Sequence, residues 1–263
     1  MLRDITIGQY YPVDSKIHRL DPRTKILLTM IYIFGLFMLD TFWGYGAVIL
    51  YLLMVINESK VPLRFMLKGL RGIVFILFFT AALNIFFTGG EIILAQFWII
   101  TITLEGVILA IEVGLRLILL IIGSSILTLT TSPIRLTDGI ESLLNPFKKI
   151  GVPAHEIAMM MSIALRFIPI LLEETDKIMK AQMARGADFE SGNVVQRAKA
   201  MVPIMVPLFI SAFRRAEDLA MAMEARCYRG GEGRTRMNAL KYQASDKIAF
   251  IIGIIFIGIC IIL

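Results

Sequence analysis

The sequence predicts an all-α membrane protein of about five transmembrane helices plus a cytoplasmic module of three further helices, the last two long. Three observations carry this. Of the 263 residues, 57% are hydrophobic and only 18% charged, with a mean hydropathy of +0.75, too apolar for a chain folded in water. The apolar residues are bunched into runs at 26–56, 69–88, 104–130 and 246–263, each near or above the ~20 residues that cross a bilayer as helix. Lysine and arginine are segregated: five lie in 1–25, four in 57–71, seventeen in 131–247, and one, Arg116, inside an apolar run. The loops at 40–41 and 88–104 therefore hold none.

In chain order, residues 1–25 read as a cytoplasmic N-terminal segment. It lacks the apolar core of a cleavable signal peptide. It is turn-rich, and Asp21-Pro22 biases the chain away from helix just before the first span. Lying along the inner membrane surface, it would serve either as a basic anchor or as a positioning segment that touches a partner. Residues 26–130 then hold four transmembrane helices. The first run is broken by Asp40-Thr41 and is expected to be a hairpin of two short spans, because one tilted helix would bury Asp40 at a cost of a few kcal/mol. In the 104–130 span, Glu112 and Arg116 stand four apart with the acid first, the order that favours an ion pair on one helical face. Such a pair is either mutual neutralisation in lipid or a functional charge.

Residues 131–245 form the cytoplasmic module and 246–263 a C-terminal transmembrane helix. The charge pattern places the N-terminus and the module in the cytoplasm and the C-terminus outside. The net charge of +6 thus reports topology and calls for no nucleic acid. Cys227 and Cys260 fall on opposite sides of the membrane and form neither a disulfide framework nor a metal motif.

Within the module, Ser132-Pro133 supplies an N-cap and a first-turn proline, and Asn145-Pro146 stops that helix. A second helix starts at Pro153 and runs to Ala184, interrupted at Pro169, with Gly186 as a left-handed stop. A third runs from about Asn193 to Arg226, bent at Pro203 and Pro207. The second is amphipathic, with Ile157, Met160, Met161, Ala164 and Ile168 on one side and Glu173, Asp176, Lys177 and Lys180 elsewhere. Nine of the fifteen methionines fall between 159 and 223, which suits either an adaptable binding surface or ordinary soft packing.

The segments Met183-Ala184-Arg185-Gly186 and Glu224-Ala225-Arg226-Cys227 each stand at the expected end of a long helix. An arginine there can cap its own helix and complement the dipole. It can equally present a five-donor fork to an acidic groove, and two such ends in one module point to a two-fold docking device, with small alanines allowing close approach.

With His18-Arg19-Leu20-Asp21-Pro22-Arg23-Thr24-Lys25, Leu165-Arg166-Phe167-Ile168-Pro169 and these two motifs, nearly the whole chain resembles the transmembrane coupling components of energy-coupling factor transporters and their cobalt-transport relatives. The resemblance implies that the long helices cross. Ala184, Arg185, Gly186, Ala225, Arg226 and Cys227 would engage two ABC-type ATPase subunits, and the membrane part would hold a small substrate-binding membrane subunit for vitamins or metal ions. It implies no catalytic, metal or cofactor site here, ATP being bound by the partner subunits. Cys227 departs from the family's glycine, so either it accepts a left-handed conformation or the helix runs on to Gly230. A conventional ABC permease that binds substrate itself fits this long module poorly. A membrane-embedded enzyme is disfavoured, since the chain has only His18 and His155, no metal-ligand spacing and no glycine-rich phosphate loop.

Overall fold

The computed structural model describes residues 10–39, 41–97, 100–189, 193–231 and 239–262. They form two compact units, one holding 10–139 with 239–262 and the other 140–231. The first unit contains α1 (Lys16–Arg19), α2 (Pro22–Phe37), α3 (Phe42–Ser59), α4 (Leu63–Arg71), α5 (Val74–Phe87), β1 (Ile93–Phe97), β2 (Ile100–Thr103), α6 (Leu104–Thr130) and, after the second unit, α10 (Ala244–Ile262). The chain passes along α7 (Pro133–Leu144) and a 3₁₀ turn (Asn145–Ile150) into α8 (Ala154–Ala184) and α9 (Val194–Ala225).

The 26–56 run is divided between α2 and α3; Asp40 itself lies outside the described residues. Helices α3, α6, α8 and α10 are long and apolar enough to cross a membrane, and α4 with α5 would add a fifth as a broken pair bent by 62°. That bend was not expected from the single apolar run at 69–88. It falls at Gly72-Ile73, where basic Lys68 and Arg71 end an amphipathic helix and an uncharged, mostly apolar one begins. The loop at 88–104 also holds an unexpected antiparallel hairpin, Ile93 opposite Thr103 and Phe97 opposite Ile100, in a stretch rich in β-branched residues.

One expected contact is corrected. Among the described residues no ion pair joins Glu112 to Arg116; the Arg116 Nη2 instead donates to the Leu39 carbonyl at 2.9 Å. The chain leaving α2 offers a carbonyl with no helical partner, and a guanidinium at a helix C-terminus meets both that acceptor and the dipole.

The core of this unit gathers Leu36, Val48, Met66 and Leu129 around a stack in which the Tyr51 and Phe256 rings lie 4.3 Å apart. Tyr32 lies directly on Gly123, where a Cβ would come within 2.2 Å of its ring, and its hydroxyl donates to the Leu119 carbonyl at 2.8 Å. A side chain at 123 would push the ring off both contacts.

Residues 10–25 are tied to the bundle at several points, while Lys16 and Arg19 stay exposed. Asp21 caps α2, and Pro22 follows in its first turn. The Tyr11 amide donates to the Leu129 carbonyl at 2.9 Å. The Lys25 ammonium, 6% exposed, donates to the carbonyls of Thr130 (2.9 Å) and His18 (3.3 Å), closing the end of α6. On the other side Asp246 accepts from the Asp21 amide at 2.9 Å and from the Gln243 amide at 2.7 Å, while Arg23 pairs with Asp21 and lies 4.0 Å from the centre of the Tyr242 ring. His18 is buried against the Tyr11 carbonyl (3.0 Å) and the Ser15 hydroxyl (2.7 Å), and this burial lowers its pKa from the ordinary histidine value.

Candidate partner-docking site

The second unit is organised by two long helices that continue through their prolines, Pro169 in α8 and Pro203 and Pro207 in α9. Asn193 opens α9 with a capping box, its amide donating to the Gln196 side chain at 3.1 Å. The two helices are tied where Glu174 of α8 accepts from Ser211 of α9 at 3.1 Å and forms an ion pair with Arg215. Those charges belong to the pattern of the motifs, because the offset that carries Arg185 to Arg226 also carries Glu174 to Arg215. Equivalent points of the two helices therefore meet each other. Each helix runs on for about ten residues, ~15 Å, before it ends.

Both ends have the same geometry. In α8, Arg185 is the C-cap (φ −89°, ψ 5°), Gly186 follows at φ +90°, and the amides of Gly186 and Ala187 donate to the carbonyls of Met183 (2.9 Å) and Gln182 (3.0 Å). In α9, Arg226 is the C-cap (φ −92°, ψ 15°), Cys227 follows at φ +55°, and the amides of Cys227 and Tyr228 donate to Glu224 (2.8 Å) and Met223 (3.0 Å). Each is a complete Schellman closure. Of the two possibilities open for Cys227, the structure selects the left-handed one: the helix stops where a glycine would have stopped it. Ala184, Arg185, Gly186, Ala225, Arg226 and Cys227 are all exposed. Neither guanidinium has a hydrogen-bond or ion-pair partner among the described residues, so the capping is done by backbone and the arginines are left for other uses.

Sequence reasoning missed three features. The Glu174–Arg215 crossing was detectable only by extending the motif offset back along the helices. The second is a join at the α9 end: His155 at the start of α8 lies 3.0 Å from Glu141 and 3.4 Å from the Tyr228 hydroxyl, and Gly231 packs on its ring so closely that a Cβ would come within 2.5 Å. The third is an exposed apolar face on α9 carrying Val202, Met205, Val206, Phe209 and Phe213, whose seven- and four-residue spacings were readable. Met160, Met183, Met201 and Met221 are likewise exposed, which favours the adaptable-surface reading of the methionines over interior packing.

Against known proteins, the family model described as "Cobalt transport protein" (CbiQ) matches residues 14–237. The chain belongs to the CbiQ family. Its curated relatives include the energy-coupling factor transporter transmembrane protein EcfT of Clostridium kluyveri, 59% identical over 99% of this chain and 97% of the relative. The same-named protein of Thermosediminibacter oceani is 59% identical over 98% and 97% of the two chains, and that of Acidaminococcus fermentans 54% over 100% and 97%. With coverage near the full length of both chains, CbiQ-family membership places this protein among the transmembrane components of energy-coupling factor transporters.

Proposed function

We propose that α8 and α9 are coupling rods, and that Arg185 and Arg226 dock them into acidic grooves on two ABC-type ATPase subunits. The reading rests on the paired ends: two helices tied at equivalent points, each closed by backbone alone and each presenting an exposed arginine without a partner among the described residues. A bidentate guanidinium contact to a carboxylate is directional, so a groove that moves carries the helix with it. ATP is bound and hydrolysed by those partners, and this chain supplies no catalytic, cofactor or metal group. Closure of the ATPase pair would turn the rods about the Glu174–Arg215 crossing and reorient a small membrane subunit that holds the vitamin or metal-ion substrate. The apolar face of α9, with Phe209 and Phe213, suits that subunit's hydrophobic helices.

The reading needs residues 131–245 in the cytoplasm, with the N-terminus inside and the C-terminus outside. Although α8 is apolar enough to span, its second half carries Glu173, Glu174, Asp176, Lys177 and Lys180, which lipid would oppose.

The test is Arg185→Glu and Arg226→Glu, singly and together, in cells supplying the partner subunits. Removing one member of a desolvated charge pair costs roughly 2–5 kcal/mol, so each variant should lose ATPase subunits on co-purification and lose uptake. Normal assembly and uptake in the double variant would refute the docking role.

A further inference from the structure

The first unit contains a cavity of about 490 Å³, inside the ~300–1,000 Å³ range of small-molecule pockets, whose two ends differ in chemistry. At one end stand Lys16, Lys25, Glu58 and Ser245; at the other, Tyr32, Tyr51, Gly123 and Ile252. The polarity gradient is shared by the four long helices of the wall, with α1 adding Lys16 and Ile17 at the polar end. From Lys25 to Tyr32 on α2, Glu58 to Tyr51 on α3, Thr130 to Gly123 on α6 and Ser245 to Ile252 on α10 is seven residues each time, two helical turns or ~10 Å. The polar end opens beside α1, where Lys16 and Glu58 pair at 3.0 Å with side chains 83% and 40% exposed. The deep end is closed by Tyr32 on Gly123 and by the Tyr51–Phe256 stack.

The polar end carries an unbalanced cation. Lys25 is buried, its two acceptors are neutral carbonyls, and one of its three N–H groups remains unassigned. No carboxylate lies within ion-pair distance of it among the described residues. The acids in its neighbourhood are otherwise engaged, Asp21 by Arg23 and Asp246 by two backbone amides, and Arg135 adds a further positive charge. A buried ammonium held only by neutral acceptors is stabilised by an anion that reaches it. Behind that cation lie two turns of mostly apolar wall, in which the Thr29 and Tyr32 hydroxyls are spent on the Lys25 and Leu119 carbonyls and the Tyr51 hydroxyl is a further polar group, in a bundle surrounded by lipid.

We propose that this cavity is a binding site for one anionic phospholipid, its headgroup phosphate between Lys16 and Lys25 and one acyl chain laid along the apolar wall towards Tyr32 and Tyr51. The bound lipid would tie α1, α2, α3, α6 and α10 together at their shared polar ends. The proposal does not depend on the docking role of the arginines, so the two can fail separately.

The experiment uses the full-length chain in detergent with phosphatidylglycerol or phosphatidylcholine carrying a photoreactive diazirine on one acyl chain, adducts being mapped by peptide mass spectrometry. Phosphatidylglycerol should label the α2, α3 and α10 segments lining the cavity at least about fivefold more than phosphatidylcholine, the factor expected of a single basic charge near an anionic lipid. Lys16→Gln should remove about fivefold of that labelling by the same arithmetic. Ala249→Phe, which fills the wall of α10, should abolish the deep adducts, and excess glycerol phosphate should not displace the lipid. Equal labelling by the two lipids, displacement by glycerol phosphate, or labelling unchanged in Lys16→Gln would overturn the proposal. Lys16 is on the exposed rim, so that variant decides the matter even if Ala249→Phe does not fold.

Discussion

The two helix ends make an internal experiment, because the same closure is built once on glycine and once on cysteine. At φ +55° Cys227 sits in the left-handed region, which costs an L-residue ~1–2 kcal/mol through its Cβ. Cys227→Gly removes that strain but adds ~0.5–1 kcal/mol of backbone entropy to the unfolded end. The net gain is ~0.5–1 kcal/mol, a two- to fivefold smaller opening constant for the last turn of α9. Gly186→Cys should do the reverse and by more, since φ +90° lies further from the left-handed minimum near +57° than Cys227 does. Hydrogen exchange reads this locally through the amides bonded across each cap, those of Cys227 and Tyr228 in α9 and of Gly186 and Ala187 in α8. Two- to fivefold slower exchange at residues 227 and 228 in Cys227→Gly, with faster exchange at 186 and 187 in Gly186→Cys, is expected. Unchanged or faster exchange in Cys227→Gly would show that the left-handed geometry carries no strain there and would refute the reasoning.

Three other outcomes follow from named contacts. Arg215→Glu sets two carboxylates against each other at the α8–α9 crossing and should reduce uptake, whereas the exchanged pair Glu174→Arg with Arg215→Glu should restore much of it, as a double-mutant cycle of uptake rates would show. Lys25→Met leaves the Thr130 and His18 carbonyls unpaired and should destabilise the purified chain by about 2 kcal/mol, relief of the buried charge offsetting part of two charged hydrogen bonds; thermal unfolding checks it. Because burial lowers the pKa of His18, the folded chain prefers its neutral ring: this contribution to stability is complete above the ordinary histidine value near 6.5 and is lost as pH falls below it towards the depressed value. Replacing His18 by Gln should flatten that part of the stability-versus-pH curve.

What was legible in the sequence was set by short-range chemistry. The all-helical membrane class follows from apolar run length, which the thickness of hydrocarbon dictates without reference to any partner segment. The break between α2 and α3, the start of α7 at Pro133 and the stop at Gly186 are each written in a few adjacent residues that favour or forbid one backbone region. The paired arginine motifs were equally visible, because the closure they belong to spans only six residues.

The tertiary structure decided what depends on groups meeting from distant parts of the chain. The Glu112–Arg116 spacing satisfies the rule for an ion pair, yet Arg116 was drawn to a carbonyl that α2 leaves unsatisfied, an acceptor no local rule could supply. The sealing of residues 10–25 into the ends of α6 and α10 was of the same kind. So was the cavity behind Lys25, because five helices contribute to it and its polarity exists only once their ends are brought level. Local sequence fixes which backbone a segment prefers; which unsatisfied donor finds which unsatisfied acceptor is settled only when the segments pack.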